Sequence, residues 1–193
     1  SGAKLTTDSM DWDRKNQLVT TTDKVHIDKE GMVTTAVGAK GEPNLNKVTL
    51  EKDVRVDIDS TAPNDKDKGA KNKIVITCDG TLTVDYEKNI ATFNKNVVVI
   101  SESAQINSDA MDIYFNESGS QTAAAEAKDK APGLMGNKID KIVARGNVKI
   151  VNGGNTSYSE EAIYNGADKK ITLVGRPKLV IFSAEGLDAS SGN

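Results

Sequence analysis

The chain has 193 residues, a formal net charge of −3, 37% hydrophobic residues and only 4% aromatic ones. That length fits one domain or two small ones, and the mild acidity excludes a dedicated nucleic-acid binder, which would present a basic face. The apolar residues are mostly Val, Ile and Ala in short runs. They suit a long, thin β structure with much surface per residue better than a sphere with one thick core.

The lone Cys78 allows no internal disulfide and sets no redox compartment. Hydrophobic runs stay well short of membrane-spanning length. The opening Ser1-Gly2-Ala3-Lys4 reads as a vector scar, and the expectation is a native export or anchor segment ahead of it.

From the N-terminus, Leu5–Asp13 reads as a first strand, Arg14–Asn16 as a turn and Leu18–Thr22 as the return, with Val25 and Ile27 opening another alternation. Gly31 and GAKGEP at Gly38–Pro43 punctuate the chain. Val48 and Leu50 alternate, Glu51–Asp53 reads as a turn, and Val54, Val56 and Ile58 resume. Residues 60–73 are polar and turn-rich and predict an exposed loop. Strands follow at Ile74–Cys78 and Thr81–Asp85, with a turn at Tyr86–Asn89.

Asn89–Phe115 carries the strongest β signal. Its first arm is rich in β-branched residues; its second alternates through Ile106, Ser108 and Ala110, then through Met111, Ile113 and Phe115 after a one-step shift near Asp109. The polar SESAQ between them predicts an antiparallel pair. A second loop is predicted at 117–138, whose QTAAAEAKDK centre suits one or two helical turns stopped at Pro132-Gly133. IDKIVARGNVKIV, NTSYSEEAIYN and KKITLVGRPKLVIF supply the last strands, and the tail from Ser183 reads as frayed.

The chain repeats itself. A shift of 72 residues places Met10 on Leu82, Trp12 on Val84, Asp13 on Asp85, Leu18 on Ile90, Thr20 on Thr92, Val25 on Val97 and Ile27 on Val99, without a gap. DSMDW at Asp8, DAMDI at Asp109 and SEEAIY at Ser159 form a second recurring motif. Such units bury no face alone and must stack.

ATFNKNVVVISESAQINSDAMDIYF, ARGNV at Ala144–Val148 and the LVGRP turn at Leu173–Pro177 resemble the OstA-like, LptA-type proteins of lipopolysaccharide transport; Lys95 departs from the family's usual Gly-Asn-Val. LTTDSMDWDRKNQLVTTTDKVHI and GEPNLNKVTLEKDVRV resemble LptC-type periplasmic proteins. The resemblance divides the chain into an LptC-like segment at 1–59, the loop at 60–73, an LptA-like segment at 74–182 and a tail at 183–193, all within one continuous jellyroll. It implies an all-β, folded-over β-jellyroll (a β-taco) with open ends, no cofactor and no enzymatic activity. The expected partners are lipopolysaccharide acyl chains, like jellyrolls (itself included) joined end to end by strand addition, and an inner-membrane transporter complex. The expected place is the periplasm. Unpaired edges at open ends favour such strand addition independently.

The expected acyl-chain groove is lined by Ile76, Leu82, Val84, Ile90, Val97, Val99, Ile106, Met111, Ile113, Phe115, Ile142, Val148, Ile150, Leu173, Leu179 and Ile181. A small aliphatic interior is expected to leave room for lipid. Trp12 either lines that groove or fills one end of the core. His26 reads as a solvent-facing strand residue and Cys78 as an inert one. Asp57, Asp59, Asp65 and Asp67 lack the glutamate of a calcium loop, since Ile76 stands in its place. Arg145 and Arg176 read as solvated cations. Two rival readings stay open: a structural or adhesin-like β domain with a filled interior, and a polysaccharide-acting β-helix enzyme.

Overall fold

The computed structural model describes residues 4–29, 32–42, 47–60, 72–116, 138–168 and 170–181. The predicted helical turns of 121–130, the Asp65–Gly69 segment and the tail from 183 lie outside these. Among the described residues the chain is all-β and forms a single antiparallel sheet. Its strands are β1 (Lys4–Thr6), β2 (Asp11–Asp13), β3 (Leu18–Lys29), β4 (Met32–Gly41), β5 (Lys47–Ser60), β6 (Asn72–Cys78) and β7 (Leu82–Asp85). They continue as β8 (Ile90–Ile100), β9 (Ala104–Asn116), β10 (Lys138–Asn152), β11 (Asn155–Asn165), β12 (Lys170–Val174) and β13 (Lys178–Val180).

Neighbours pair in the order β1-β3-β4-β5-β6-β8-β9-β10-β11-β12, with β2 beside β3, β7 between β5 and β8, and β13 beside β11. The β1/β2 edge and the β12/β13 edge do not pair with each other. The sheet is therefore open at both ends, yet Ala91, Phe93 and Val97 in its middle have no exposed surface at all. One face of a single sheet reaches that burial only if the sheet folds over and covers itself. This is the folded-over jellyroll that the sequence predicts.

The fold line is where each strand interrupts its period-two alternation. Inward residues Thr21 and Val25 on β3, Leu50 and Val54 on β5, Phe93 and Val97 on β8, and Ala144 and Val148 on β10 are each separated by three residues. On β4, β9 and β11 the gap is two residues, between Ala36 and Ala39, Ser108 and Met111, and Ser159 and Ala162. β6 and β7 are one such strand broken at Asp79–Thr81, and β12 and β13 another broken at Gly175–Pro177. Register shifts mark the same line between Thr21 and Lys24, Asn94 and Val97, and Arg145 and Val148. Left-handed backbone concentrates there, at Gly38, Asp53, Lys95, Asn96, Gly146, Asn147, Gly175 and Arg176. Lys95 keeps this conformation where the family resemblance favours glycine.

Several local expectations are corrected by this geometry. Glu51–Asp53 is a fold-line crossing inside β5 rather than a turn, and Gly38 is one inside β4 rather than a chain break. Leu5–Asp13 is two short strands, both on β3. The one-step shift near Asp109 holds: Ser108 and Met111 both face inward.

The repeat is structural. Asp11, Trp12 and Asp13 oppose Thr20, Val19 and Leu18, while Thr83, Val84 and Asp85 oppose Thr92, Ala91 and Ile90, each pair displaced by the same 72 residues. Asn16 N–H donates to Asp13 at 3.0 Å and Lys88 N–H to Asp85 at 3.0 Å, and the left-handed Gln17 and Asn89 close both turns.

Across the fold line a glycine meets a carboxylate from the next strand. A Cβ on Gly146, at φ +74°, would strike the Asp109 carboxylate, and the Asn147 amide donates to the same group at 2.8 Å. Gly153, at φ +54°, has open space around it. Gly153→Ala is expected to cost about 1 kcal/mol of left-handed strain, and Gly146→Ala about 3 kcal/mol, since strain and collision add. Urea unfolding of the two variants measures the difference; equal midpoints would show that the seam contact is not tight.

Candidate functional site

The site is the inward face. Antiparallel partners place their side chains on one face with Cβ atoms about 5 Å apart, so the pairing register can be followed across the strands as rungs. On one wall a rung runs Leu5, Ile27, Thr34, Val56, Ile76, Val99, Ile106, Ile150, Ser157, Leu179. On the other wall one runs Thr21, Ala39, Leu50, Leu82, Phe93, Met111, Ala144, Ala162, Leu173. A further rung on that wall starts at Trp12, passes Val84, Ala91, Ile113 and Ile142, and ends at Ile171. None of these rungs contains a charged residue. They span the sheet from edge to edge, across the strands rather than along them.

Of the predicted groove residues, Ile76, Leu82, Val84, Val97, Met111, Ile113, Phe115 and Val148 are buried in one apolar cluster. Val99, Ile106, Ile142, Ile150 and Leu173 are half-buried against it. Leu179 ends the first rung but is 63% exposed, and Ile181, just past β13, is 66% exposed. Ile90 is corrected: it lies between Asp85 and Tyr114 on the outer face, and its neighbours Ala91 and Phe93 point inward instead.

Several interior residues go unpredicted, among them Val25, Val54, Val56, Cys78, Ala91, Phe93 and Ala162. The 72-residue shift carries the missing signal for Val25, which it pairs with Val97. The expectation of spare interior room is also corrected, because Phe93, Met111 and Phe115 close the middle. Tyr86 meets Phe115 edge-on at 6.3 Å, and burial pushes its hydroxyl pKa up.

The interior opens only towards its ends. Leu5, Met10 and Trp12 are exposed at the β1/β2 edge, and Ile171, Val174, Leu179 and Ile181 at the β12/β13 edge. Trp12 therefore ends a rung and does not fill the core; the Arg14 guanidinium lies 4.8 Å from its ring. Near the C-terminal end a surface depression of about 670 Å3 touches Gln105, Lys149, Tyr158, Ser159 and Arg176.

The outer face is built for water. Asp112 accepts from Thr92 at 2.9 Å and pairs with Arg145, which also reaches Glu161 at 3.3 Å. The Asp112 partnership raises the Arg145 pKa. Asp57 is held by Arg55 at 2.7 Å and Lys73 at 3.7 Å, which lowers its carboxyl pKa and occupies the oxygens a metal would need. His26 is exposed on β3. Burial pushes the Cys78 thiol pKa up, and the thiol is committed to the Gly80 and Thr81 carbonyls. Among the described residues no group of three His, Cys, Asp or Glu side chains is placed to hold a metal. This arrangement suits binding an apolar ligand rather than bond-breaking chemistry.

Comparison with protein-family models matches residues 75–193 to the LptA/(LptD N-terminal domain) LPS transport proteins and residues 1–59 to the LptC-related lipopolysaccharide-assembly proteins. No curated protein matches. Among solved structures the chain is similar to LptH, the LptA homologous periplasmic component of the conserved lipopolysaccharide transport device from Pseudomonas aeruginosa. The two are 13% identical, with a TM-score of 0.46 over 94% of this chain and 96% of that one. The chain belongs to the LptA/(LptD N-terminal domain) family of lipopolysaccharide transport proteins.

Proposed function

We infer that this chain is a periplasmic lipopolysaccharide-binding component of the bridge between inner and outer membranes, holding acyl chains along its apolar interior. One observation carries the reading: uncharged rungs cross the sheet from one open edge to the other. Family membership supplies the lipid, and the resemblance supplies the compartment. Each methylene taken from water is worth about 0.8 kcal/mol, so several acyl chains bind firmly without a specific polar group. The closed middle means that a chain enters at an edge and parts the walls as it advances.

The same edges suit like jellyrolls, including a second copy, and an inner-membrane transporter complex. Exposed apolar side chains there adjoin strands that lack a partner on one side. The alternative, a structural β domain, draws on the same closed middle.

A photo-crosslinking residue at Val99 or Leu179 is expected to capture lipopolysaccharide, whereas one at Ile90 or Lys149, on the outer face, is not. Capture from the outer pair alone would reject the acyl-chain reading. Trp12→Asp and Leu179→Asp, both at exposed positions, are expected to shift stability by no more than about 0.5 kcal/mol. Each should abolish association at its own end, read by sedentary light scattering of mixtures with the partner jellyroll. Undiminished association in both variants would remove the end-to-end arrangement.

A further inference from the structure

We propose that Ser108 and Ser159 form a polar step inside the apolar interior that takes the hydroxyl of an oxygenated acyl chain, in preference to a plain alkyl chain. The proposal rests on the acyl-chain reading above and adds a chemical preference to it. Val97 opposes Ser108 and Val148 opposes Ser159, so both serines share the inward face with two of the most buried valines. Asn107 opposes Lys149, which sets Ser108 beside Val148 on the neighbouring strand. The two hydroxyls thus flank Val148 from either side, roughly 10 Å apart across two strand spacings.

Ser108 is only 5% exposed, and the Oγ atoms of both serines are buried without a hydrogen-bond partner. An unpaired buried hydroxyl carries its full desolvation penalty, which alanine at the same place would avoid. Elsewhere in this interior hydroxyls are satisfied: Thr21 Oγ1 lies 3.2 Å from Thr7 Oγ1 and accepts from the Asp23 N–H at 3.1 Å. The orphaned pair stands out by chemistry and also by place. Ser159 lies on β11, next to the edge strand β13 whose Leu179 is exposed, so the pair sits just inside the C-terminal opening. An acyl chain entering there passes both hydroxyls. A chain hydroxyl both donates and accepts, so it satisfies either serine, whereas a methylene leaves the serine as it was.

Isothermal titration of the full chain with 3-hydroxytetradecanoate and with tetradecanoate tests this directly. The protein is expected to bind the hydroxylated chain about five- to tenfold more tightly, the worth of one net hydrogen bond. The Ser108→Ala/Ser159→Ala double variant should bind both chains equally, and its ligand-free form should melt about 2–4 °C higher. A purely structural role for the serines predicts the opposite sign of the melting shift. Equal binding of the two chains by the unaltered protein, or a preference that survives in the double variant, overturns the polar step while leaving the acyl-chain reading in place. Binding of neither chain overturns the acyl-chain reading itself. The single variants assign the preference to one hydroxyl or to both.

Discussion

The structure depends on one constraint: every strand must break its alternation on the same line. A β-strand sends successive side chains to opposite faces, so an unbroken sheet bent sharply in two would turn outer side chains into the bend. Inserting two or three residues between inward positions on each strand resets the parity, and both halves then present apolar side chains to each other. The cost is left-handed backbone at residues such as Lys95 and Asn96. It is met by hydrogen bonds across the line: Asp79 N–H donates to Lys95 C=O at 2.9 Å, Gly80 N–H to Asn94 C=O at 3.1 Å, and the Asn96 amide to the Asp79 carboxylate at 2.7 Å. Bulges here are the hinge from which the interior follows.

That arrangement also explains why the apolar surface runs the long way. Because the fold line crosses the strands, the interior it encloses crosses them too, and its ends coincide with the sheet's edge strands. An apolar opening and a row of unpaired backbone groups therefore occur together at each end. A neighbouring sheet that adds a strand at such an edge extends both the ladder of hydrogen bonds and the rungs. One contact serves assembly and continuity of the apolar path.

The class of fold, most strands and the repeat were legible in the sequence because period-two alternation and a 72-residue self-similarity are local or additive signals. The fold line was less legible. Glu51, Lys52 and Asp53 form a polar triplet that looks the same whether the chain turns back or crosses a bend; only the pairing of β5 with β4 on one side and with β6 and β7 on the other decides it. Ile90 misled for a related reason. It is larger and more apolar than Ala91, but the inward position belongs to the residue opposite Val84 and Ile113, and that is Ala91. β4 gave a weak signal because its inward residues are Thr34, Ala36 and Ala39, small side chains whose burial comes from the opposite wall rather than from their own hydrophobicity. Loosely, what the sequence encodes well is each wall; what it encodes poorly is how the walls meet.

The closed middle bears on how such an interior would work. When an alkyl chain slides between two aliphatic walls, contacts of valine with isoleucine are exchanged for contacts of either with methylene, and the area removed from water changes little. Dispersion contacts of this kind are individually small and nearly interchangeable, so parting the walls over one rung costs little more than the ordering of the incoming chain repays. Aromatic anchors concentrate on one wall, at Phe93 and Phe115, while the facing wall offers Val56, Ile76, Val97 and Val99. The aliphatic wall is the one that can yield without losing a large packed ring. Exchange without a net gradient along the rungs gives passage but no direction, so the direction of transport has to be imposed at the ends, by whatever supplies lipid at one edge and removes it at the other.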